Sequence, residues 1–167
     1  VLEQACRDLH HWQQVDPAFA ELTMNVNIAA KDVSQGALVP RVTHALGRHG
    51  VLARHLTIEL TENILMTQLS HSIGMLEELR ELGVGLSVDD FGTGYSSLSH
   101  LSTLPIDSLK IDMSFVHQLR IGSSEAAVIR AIVLLGRSLG KQVVAEGIET
   151  LEQAEQLRDL GCDTGQG

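Results

Sequence analysis

The chain has 167 residues, of which 44% are hydrophobic and 20% charged, a composition typical of a globular domain with one sizeable core. Twelve basic and 21 acidic side chains give a formal net charge of −9. This charge argues against non-specific binding to long nucleic acids, which needs a basic surface. No apolar run approaches the roughly 20 residues that span a bilayer, so no membrane segment is predicted within the chain.

Both ends of the sequence look cut. There is no initiator methionine, and helical apolar spacing begins at Leu2 without a capping residue before it. At the other end, residues 162–167 read as a strand that stops as it enters a loop. We therefore expect a piece of a larger protein. Cys6 and Cys162 match no metal or redox spacing, so we expect two reduced, buried thiols in a cytoplasmic protein.

Apolar periodicity predicts strands and helices that alternate along the chain. The opening helix ends before Asp16-Pro17, and glycines close several of the later helices. Steady alternation predicts parallel strands joined by right-handed crossovers. The predicted strands cover 22–29, 55–62, 84–89, 106–112, 142–149 and 162–167, and the later predicted helices cover 38–50, 70–82, 97–102, 125–139 and 151–160.

Each predicted strand carries apolar residues on one face and a polar residue at or near its C-terminal end on the other. Such strands fit either an open doubly wound sheet or most of a (β/α)₈ barrel. In a barrel the C-terminal strand ends converge on the face where active sites are built, whereas in an open sheet they spread along an edge. The pattern therefore favours an α/β barrel. The polar residues are Asn27, Glu59, Asp89, Lys110, Glu146 and Gln166.

The stretch 84–98, VGLSVDDFGTGYSSL, is the most informative part of the chain. Its strand ends at Asp89-Asp90, and a glycine-rich loop follows in which Ser96 or Ser97 is a candidate helix cap. Two adjacent carboxylates at a strand end suit a hard divalent cation. Taken alone, however, an Asp-Asp pair in this position is more typical of a turn or a cap.

The other polar residues also have structural interpretations. Asn27 fits a hydrogen-bonding role inside a barrel, Glu59 and Lys110 fit a buried ion pair, and Glu146 fits the start of a solvated loop. Glu62 is more typical of a structural residue than of a metal ligand. What favours a functional site is the coincidence of six suitable residue types at six strand ends.

Several segments resemble, in order and spacing, the motifs of the EAL domain family, which are bacterial phosphodiesterases of the second messenger cyclic di-GMP. They are NVN, ELTE, DDFGTGYSSL, LKID followed by SF, VVAEGIET and GCDTGQG. The resemblance covers residues 1–167 and implies a (β/α)₈ TIM-type barrel whose first strand is antiparallel, present here as an incomplete six-strand portion. The Glu-Ala-Leu motif that names the family lies before the first residue, so we expect the fragment alone to be inactive.

The resemblance also implies two bound divalent ions, either Mg²⁺ or Mn²⁺, and assigns their ligands. Asn27, Glu59 and Asp89 match metal ligands of the family, and Asp89 matches the ligand that bridges both ions. Asp90 matches a ligand of the second ion, and Glu146 matches a glutamate near that ion.

The remaining site residues match positions that act on water or on loops. Lys110 matches the lysine beside the attacking water, Glu146 lies near the same water, and Gln166 matches a glutamine that positions water. Glu62 resembles the glutamate that holds the DDFGTGYSS loop in shape, and Glu149 is likewise expected to anchor a loop one step from the metals.

The function implied by the resemblance is hydrolysis of cyclic di-GMP to linear pGpG by a two-metal mechanism, in a cytoplasmic bacterial signalling protein. The implied partners are cyclic di-GMP, a second copy that contacts the helix and loop after Asp90, and a fused sensory or GGDEF domain. Such a fused domain could also anchor the parent protein to a membrane. Two alternatives stay open. One is an inactive EAL-like domain that acts as a cyclic di-GMP receptor or interaction module, and the other is a two-metal barrel phosphoesterase without guanine preference.

Overall fold

The fold is described from a computed structural model covering residues 1–34, 36–67, 69–94, 98–120 and 122–167, without the side chains of 34, 69–72, 98 and 99. Strands and helices alternate along the chain, as the periodicity predicts. None of the described helices is both long and apolar enough to cross a bilayer. The helices are α1 (Leu2–Val15), α2 (Ala30–Ser34), α3 (Leu38–His49), α4 (Glu62–Thr67), α5 (Leu69–Leu82), α6 (Leu98–Leu101), α7 (Met113–His117), α8 (Ser124–Ser138) and α9 (Leu151–Leu160), and the strands are β1 (Met24–Asn27), β2 (Leu56–Thr61), β3 (Gly85–Phe91), β4 (Ser108–Ile111), β5 (Gln142–Ala145) and β6 (Thr164–Gly165).

The strand order in the sheet follows the chain order, β1-β2-β3-β4-β5-β6. The registers of β1 with β2, β3 with β4, β4 with β5 and β5 with β6 are all parallel. Parallel neighbours that follow one another in the chain require a crossover between them, and here helices supply the crossovers. The predicted α/β architecture of parallel strands is therefore confirmed.

The first of two compact units covers Val1–Leu60 and Thr67–Leu86. In this unit α3 packs against both α1 and α5. Helix α3 ends at Gly50, which has a left-handed φ of 67°, as expected for a glycine that closes a helix. The core consists of apolar side chains that share the inner faces of these helices and of β2, namely Leu2, Cys6, Leu9, Val42, Ala45, Leu56, Ile58, Leu76 and Leu79.

The second unit covers Thr61–Met66 and Ser87–Gly167. Helix α8 packs on β4 and β5, and α9 packs on α8. The approach of α8 to β5 is so close that a Cβ built on Gly136 would overlap Val143 Cγ2 and lie 3.3 Å from the carbonyl oxygen of Lys141. The core of this unit includes Leu65, Leu101, Leu104, Ile106, Leu109, Ile111, Val116, Ile129, Val143, Ala145 and Leu157.

Some element boundaries differ from the sequence predictions. The last predicted strand, 162–167, is observed as Thr164–Gly165, the two residues that are in register with β5. The predicted helix 97–102 is observed as α6, and the proposed capping residues Ser96 and Ser97 lie outside the described residues. Short helices α2, α4 and α7 were not predicted, since five or six residues are too few to show a helical apolar period.

The two cysteines are both free, but only one of them is buried as expected. Cys6 is fully buried in the core of the first unit, whereas Cys162, near the end of the chain, is only partly buried. The expectation of two buried thiols is therefore wrong for Cys162, because the turn after α9 leaves part of that side chain at the surface. Burial raises the pKa of the Cys162 thiol to about 11.

Candidate functional site

Three neighbouring strand ends of the second unit bring together a buried group of charges. Asp89 lies near the end of β3, Lys110 in β4, and Glu146 directly after β5. The Lys110 Nζ atom lies 2.5 Å from Glu146 Oε1 and 3.5 Å from Asp89 Oδ1. The side chains of Lys110, Asp89 and Glu146 retain only 6%, 12% and 19% of their exposure. One ammonium group therefore compensates two carboxylates in a site that is largely shielded from water.

The adjacent carboxylates of Asp89 and Asp90 have different partners. Asp90 is the one described residue other than glycine with a positive φ, at 54°, and Asp is one of the few residue types that tolerates this conformation. Its backbone N–H donates to Asp89 Oδ1 at 3.1 Å. Asp89 is paired with Lys110, whereas the side chain of Asp90 contacts Asp112. Because the backbone turns at Asp90, the two adjacent carboxylates point toward different partners.

Asp90 and Asp112 form a hydrogen-bonded carboxyl pair. Burial raises the pKa of Asp90, and the negative charges of Asp89 and Asp112 raise it further, while Lys110 acts in the opposite direction. Burial alone would also raise the pKa of Asp112, but hydrogen bonds from the hydroxyl and the backbone N–H of Ser114 outweigh it, so the pKa is lowered. The two neighbouring carboxyl groups are thus shifted in opposite directions, with the pKa of Asp90 raised and that of Asp112 lowered.

Glu62 contacts the glycine-rich loop that follows β3. It is the first residue of α4 and is only 2% exposed. Its Oε2 atom accepts a hydrogen bond from the backbone N–H of Gly92 at 2.9 Å. A Cβ built on Gly94 would lie 2.6 Å from Glu62 Oε1, so a larger residue there would require the carboxylate or the loop to shift. The structure therefore places the Glu62 carboxylate in contact with the backbone of this loop.

Glu149 and Gln166 lie on the segments that follow β5 and β6. The backbone N–H of Glu149 donates to Gln153 Oε1 at 2.8 Å, and its Oε1 atom lies 3.5 Å from His117 Nε2. Gln166 is fixed through its backbone, whose N–H donates to the carbonyl of Ala145 at 2.8 Å, while its side chain is exposed. Glu149 thus contacts Gln153 through its backbone and His117 through its side chain, and the Gln166 amide is open to solvent.

Asn27 and Glu59 are brought together in the first unit. They are register partners: Asn27 is the last residue of β1, and Glu59 lies two residues before the end of β2. Asn27 is exposed, whereas Glu59 is only 2% exposed. The Oε1 atom of Glu59 accepts a hydrogen bond from Asn25 Nδ2 at 2.8 Å. This hydrogen bond orients the buried carboxylate near the C-terminal end of its strand.

Asn25 contacts Glu59, and Asp112 contacts Asp90, but neither residue has a predicted role. A signal for both exists in the alternation of side chains along a strand. Asn25 lies two residues before Asn27, and Asp112 lies two residues after Lys110, so each shares a face with a predicted site residue.

The described carboxylates have the oxygen donors that a hard cation prefers, but they do not form a preassembled binding site. In the described part of the chain, no three His, Cys, Asp or Glu side chains are grouped closely enough to hold an ion by themselves. Asp89, Asp90 and Glu146 nevertheless offer the oxygen atoms that Mg²⁺ and Mn²⁺ prefer. The negative charges of Asp89 and Asp112, which raise the pKa of Asp90, mark a place where a cation would relieve repulsion between carboxylates. The residues present therefore fit an oxygen-bound divalent ion.

The sequence model of the EAL domain family matches residues 1–167. The bifunctional diguanylate cyclase/cyclic di-GMP phosphodiesterase MucR of Pseudomonas aeruginosa is 45% identical over all 167 residues, which make up 24% of that protein. The cyclic di-GMP phosphodiesterase NbdA of the same organism is 42% identical, again over the whole chain and over 21% of its own length. The chain thus spans less than a quarter of the length of these curated relatives.

Solved structures show the same likeness. The phosphodiesterase of PaMucR, in complex with c-di-GMP, superposes with a TM-score of 0.93 at 44% identity, over 99% of this chain and 71% of that one. Klebsiella pneumoniae BlrP1, solved as a manganese and cyclic di-GMP complex, gives a TM-score of 0.78 at 29% identity, over 96% of this chain and 41% of that one. The predicted fold, six strands of a TIM-type barrel, is confirmed by these superpositions.

Proposed function

Because the chain belongs to the EAL domain family, we propose that it carries the site for hydrolysis of cyclic di-GMP to linear pGpG in a bacterial signalling protein. The observation that carries the proposal is the buried group of Asp89, Lys110 and Glu146 at three neighbouring strand ends. The names of MucR and NbdA, both cyclic di-GMP phosphodiesterases, support the same substrate and reaction.

We propose that the site holds two divalent ions, Mg²⁺ or Mn²⁺. Asn27, Glu59 and Asp89 would hold the first, and Asp89, Asp90 and Glu146 the second, so that Asp89 is shared. Such a pair, when bound, supplies an activated water and neutralises charge on the phosphoryl oxygens. The oxygen donor set and the manganese present in the BlrP1 complex support this assignment.

The protein's own charges prepare the site for a phosphodiester. Lys110 keeps the carboxylates of Asp89 and Glu146 in place and offers a positive charge where negative charge develops in the transition state. Glu146, held at 2.5 Å from the Lys110 ammonium, is oriented to accept a hydrogen bond from the attacking water. We assign Gln166 the positioning of that water, and Glu62 and Glu149 the anchoring of the two adjacent loops.

We further propose the partners of the intact protein. The bifunctional name of MucR supports a fused GGDEF or sensory domain. A homodimer that contacts the loop after Asp90 and α6 would connect dimerisation to the acidic dipeptide through Glu62 and Gly92. We place the reaction in the cytoplasm, where a nucleotide second messenger acts.

The test is turnover by the full-length protein. Cyclic di-GMP is incubated with Mg²⁺ or Mn²⁺, and pGpG is separated by chromatography for the wild type, Asp89→Asn and Glu59→Gln, with Glu78→Gln on the exposed face of α5 as the control. We expect metal-dependent release of pGpG that is lost in the first two variants and kept in the control. Tight binding without product would make the domain a receptor. The absence of both binding and turnover would refute the proposed function.

A further inference from the structure

The side-chain amide of Gln153 connects two segments of the second unit. Its Oε1 atom accepts hydrogen bonds from the backbone N–H groups of Glu149 and Thr150, at 2.8 and 3.0 Å. Its Nε2 atom donates to the carbonyl oxygen of Val116 in α7 at 3.2 Å. The first contacts belong to the capping box at the start of α9, which needs only the oxygen. The contact with α7 is therefore additional to what the helix end requires.

Other contacts hold the same loop, residues 146–150, against α7. Gly147 has a φ of 71°, and a Cβ built on it would lie 2.7 Å from Met113 Cβ and 3.2 Å from His117 Nε2. The imidazole of His117 lies 3.5 Å from Glu149 Oε1. The loop is thus fixed on α7 by a hydrogen bond, a close backbone approach and a pair of polar side chains.

This attachment bears on the site because each partner is joined directly to a site residue. Helix α7 begins immediately after Asp112, two residues beyond Lys110, and its first turn is capped by the Asp112 side chain. Glu146 immediately precedes Gly147 at the start of the loop. The separation between α7 and the loop therefore influences the distance between the Lys110 ammonium and the Glu146 carboxylate, which is 2.5 Å.

We propose that Gln153 is a positioning residue for the hydrolysis, because its amide group fixes the loop on α7 and thereby keeps Glu146 against Lys110. Gln153 itself lies outside the charged group and acts through Glu146. This inference rests on the proposed function, since it assigns a role in the same reaction.

The substitution Gln153→Glu isolates the contact with α7. Glutamate keeps the oxygen that accepts from Glu149 and Thr150, so the capping box remains, but it places an oxygen opposite the Val116 carbonyl in place of the amide donor. Gln156→Glu is the matched control, because it introduces the same charge about one turn later in α9, where the side chain of Gln156 donates a hydrogen bond to the exposed Glu152.

Steady-state kinetics with cyclic di-GMP are measured on the full-length protein, together with hydrogen exchange of the 146–150 backbone. In Gln153→Glu we expect kcat to fall about tenfold, as when a hydrogen-bond partner of an active-site ligand is removed, while KM stays within about twofold. Exchange in the loop should become faster. Gln156→Glu should match the wild type in all three measurements.

Repeating the substitution in a Glu146→Gln variant tests whether Gln153 acts on kcat through Glu146. In Glu146→Gln, the further change Gln153→Glu should have no additional effect on the residual kcat, because the group it positions has been replaced. An unchanged kcat in Gln153→Glu, or the same fold loss in both backgrounds, would overturn the inference while the proposed function stands. A wild-type protein without turnover would instead refute the proposed function, and this role of Gln153 with it.

Discussion

Replacing Lys110 with methionine tests whether one ammonium stabilises the charged strand ends when no divalent ion is bound. The substitution keeps most of the side chain's length but removes the charge that lies 2.5 Å from Glu146 and 3.5 Å from Asp89. Removal of one partner from a buried ion pair costs about 3–5 kcal/mol. Because Asp89 and Glu146 keep 12% and 19% of their exposure, water solvates them in part, and we expect the free energy of unfolding to fall by about 3 kcal/mol, the lower end of that range.

The matched control is Lys141→Met. Lys141 is also partly buried, but its amine donates to the neutral carbonyl of Ile106 at 2.6 Å, so its loss should cost only about 1 kcal/mol. Urea titrations of the full-length protein, with hydrogen exchange read in β3, β4 and β5, compare the two variants. We expect Mg²⁺ to stabilise Lys110→Met more than the wild type, since bound ions then neutralise the same carboxylates.

Activity provides an independent measurement on the same variant. Loss of a group that stabilises developing charge should lower kcat about 100- to 1,000-fold. The reasoning would be refuted if Lys110→Met lost no more stability than Lys141→Met in metal-free buffer. In that case Asp89 and Glu146 would not depend on the ammonium, and the short distances would have no energetic consequence.

The remaining predictions concern packing, thiol reactivity and the glycine-rich loop. Gly136→Ala should lower the free energy of unfolding by about 2 kcal/mol through overlap with β5, whereas Gly47→Ala, which has open space around it, should raise it by about 0.5–1 kcal/mol; urea titration measures both. Because the pKa of Cys162 is raised from 9.0 to about 11, iodoacetamide should alkylate it about 100-fold more slowly at pH 8 than a free cysteine. The folded state favours the protonated thiol, so this group leaves stability unchanged below pH 9 and lowers it as the pH rises toward 11; an ordinary alkylation rate would contradict both statements. Gly94→Ala should reduce kcat about tenfold, because a Cβ would lie 2.6 Å from Glu62 Oε1 and displace the loop; an unchanged kcat would show that the loop does not position the site.

The long helices could be predicted from sequence because each has several apolar turns and a recognisable end. The prediction 38–50 matches Leu38–His49 followed by a left-handed Gly50, and 151–160 matches α9 without change. The short helices could not be predicted in this way. Helix α7, for example, is defined by a capping aspartate and by contacts with a distant loop, neither of which produces a periodic pattern.

For the candidate site, sequence could identify residues but not their interactions. Alternation along the strands placed Asp89, Lys110 and Glu146 at strand ends, where the structure finds them within contact distance. The hydrogen bond between Asp90 and Asp112 and the contact of Gln153 with α7 depend on tertiary structure. A resemblance to a family names matching positions, but it does not show which neighbouring side chains keep those positions in place.

The left-handed backbone at Asp90, with φ at 54°, has an evolutionary consequence. Few side chains accept this conformation without strain, but asparagine accepts it as readily as aspartate does. A single Asp-to-Asn replacement would therefore abolish one negative charge at the turn and leave the path of the chain unaltered. One nucleotide change in an aspartate codon therefore separates a charged form of this turn from a neutral form with the same backbone conformation.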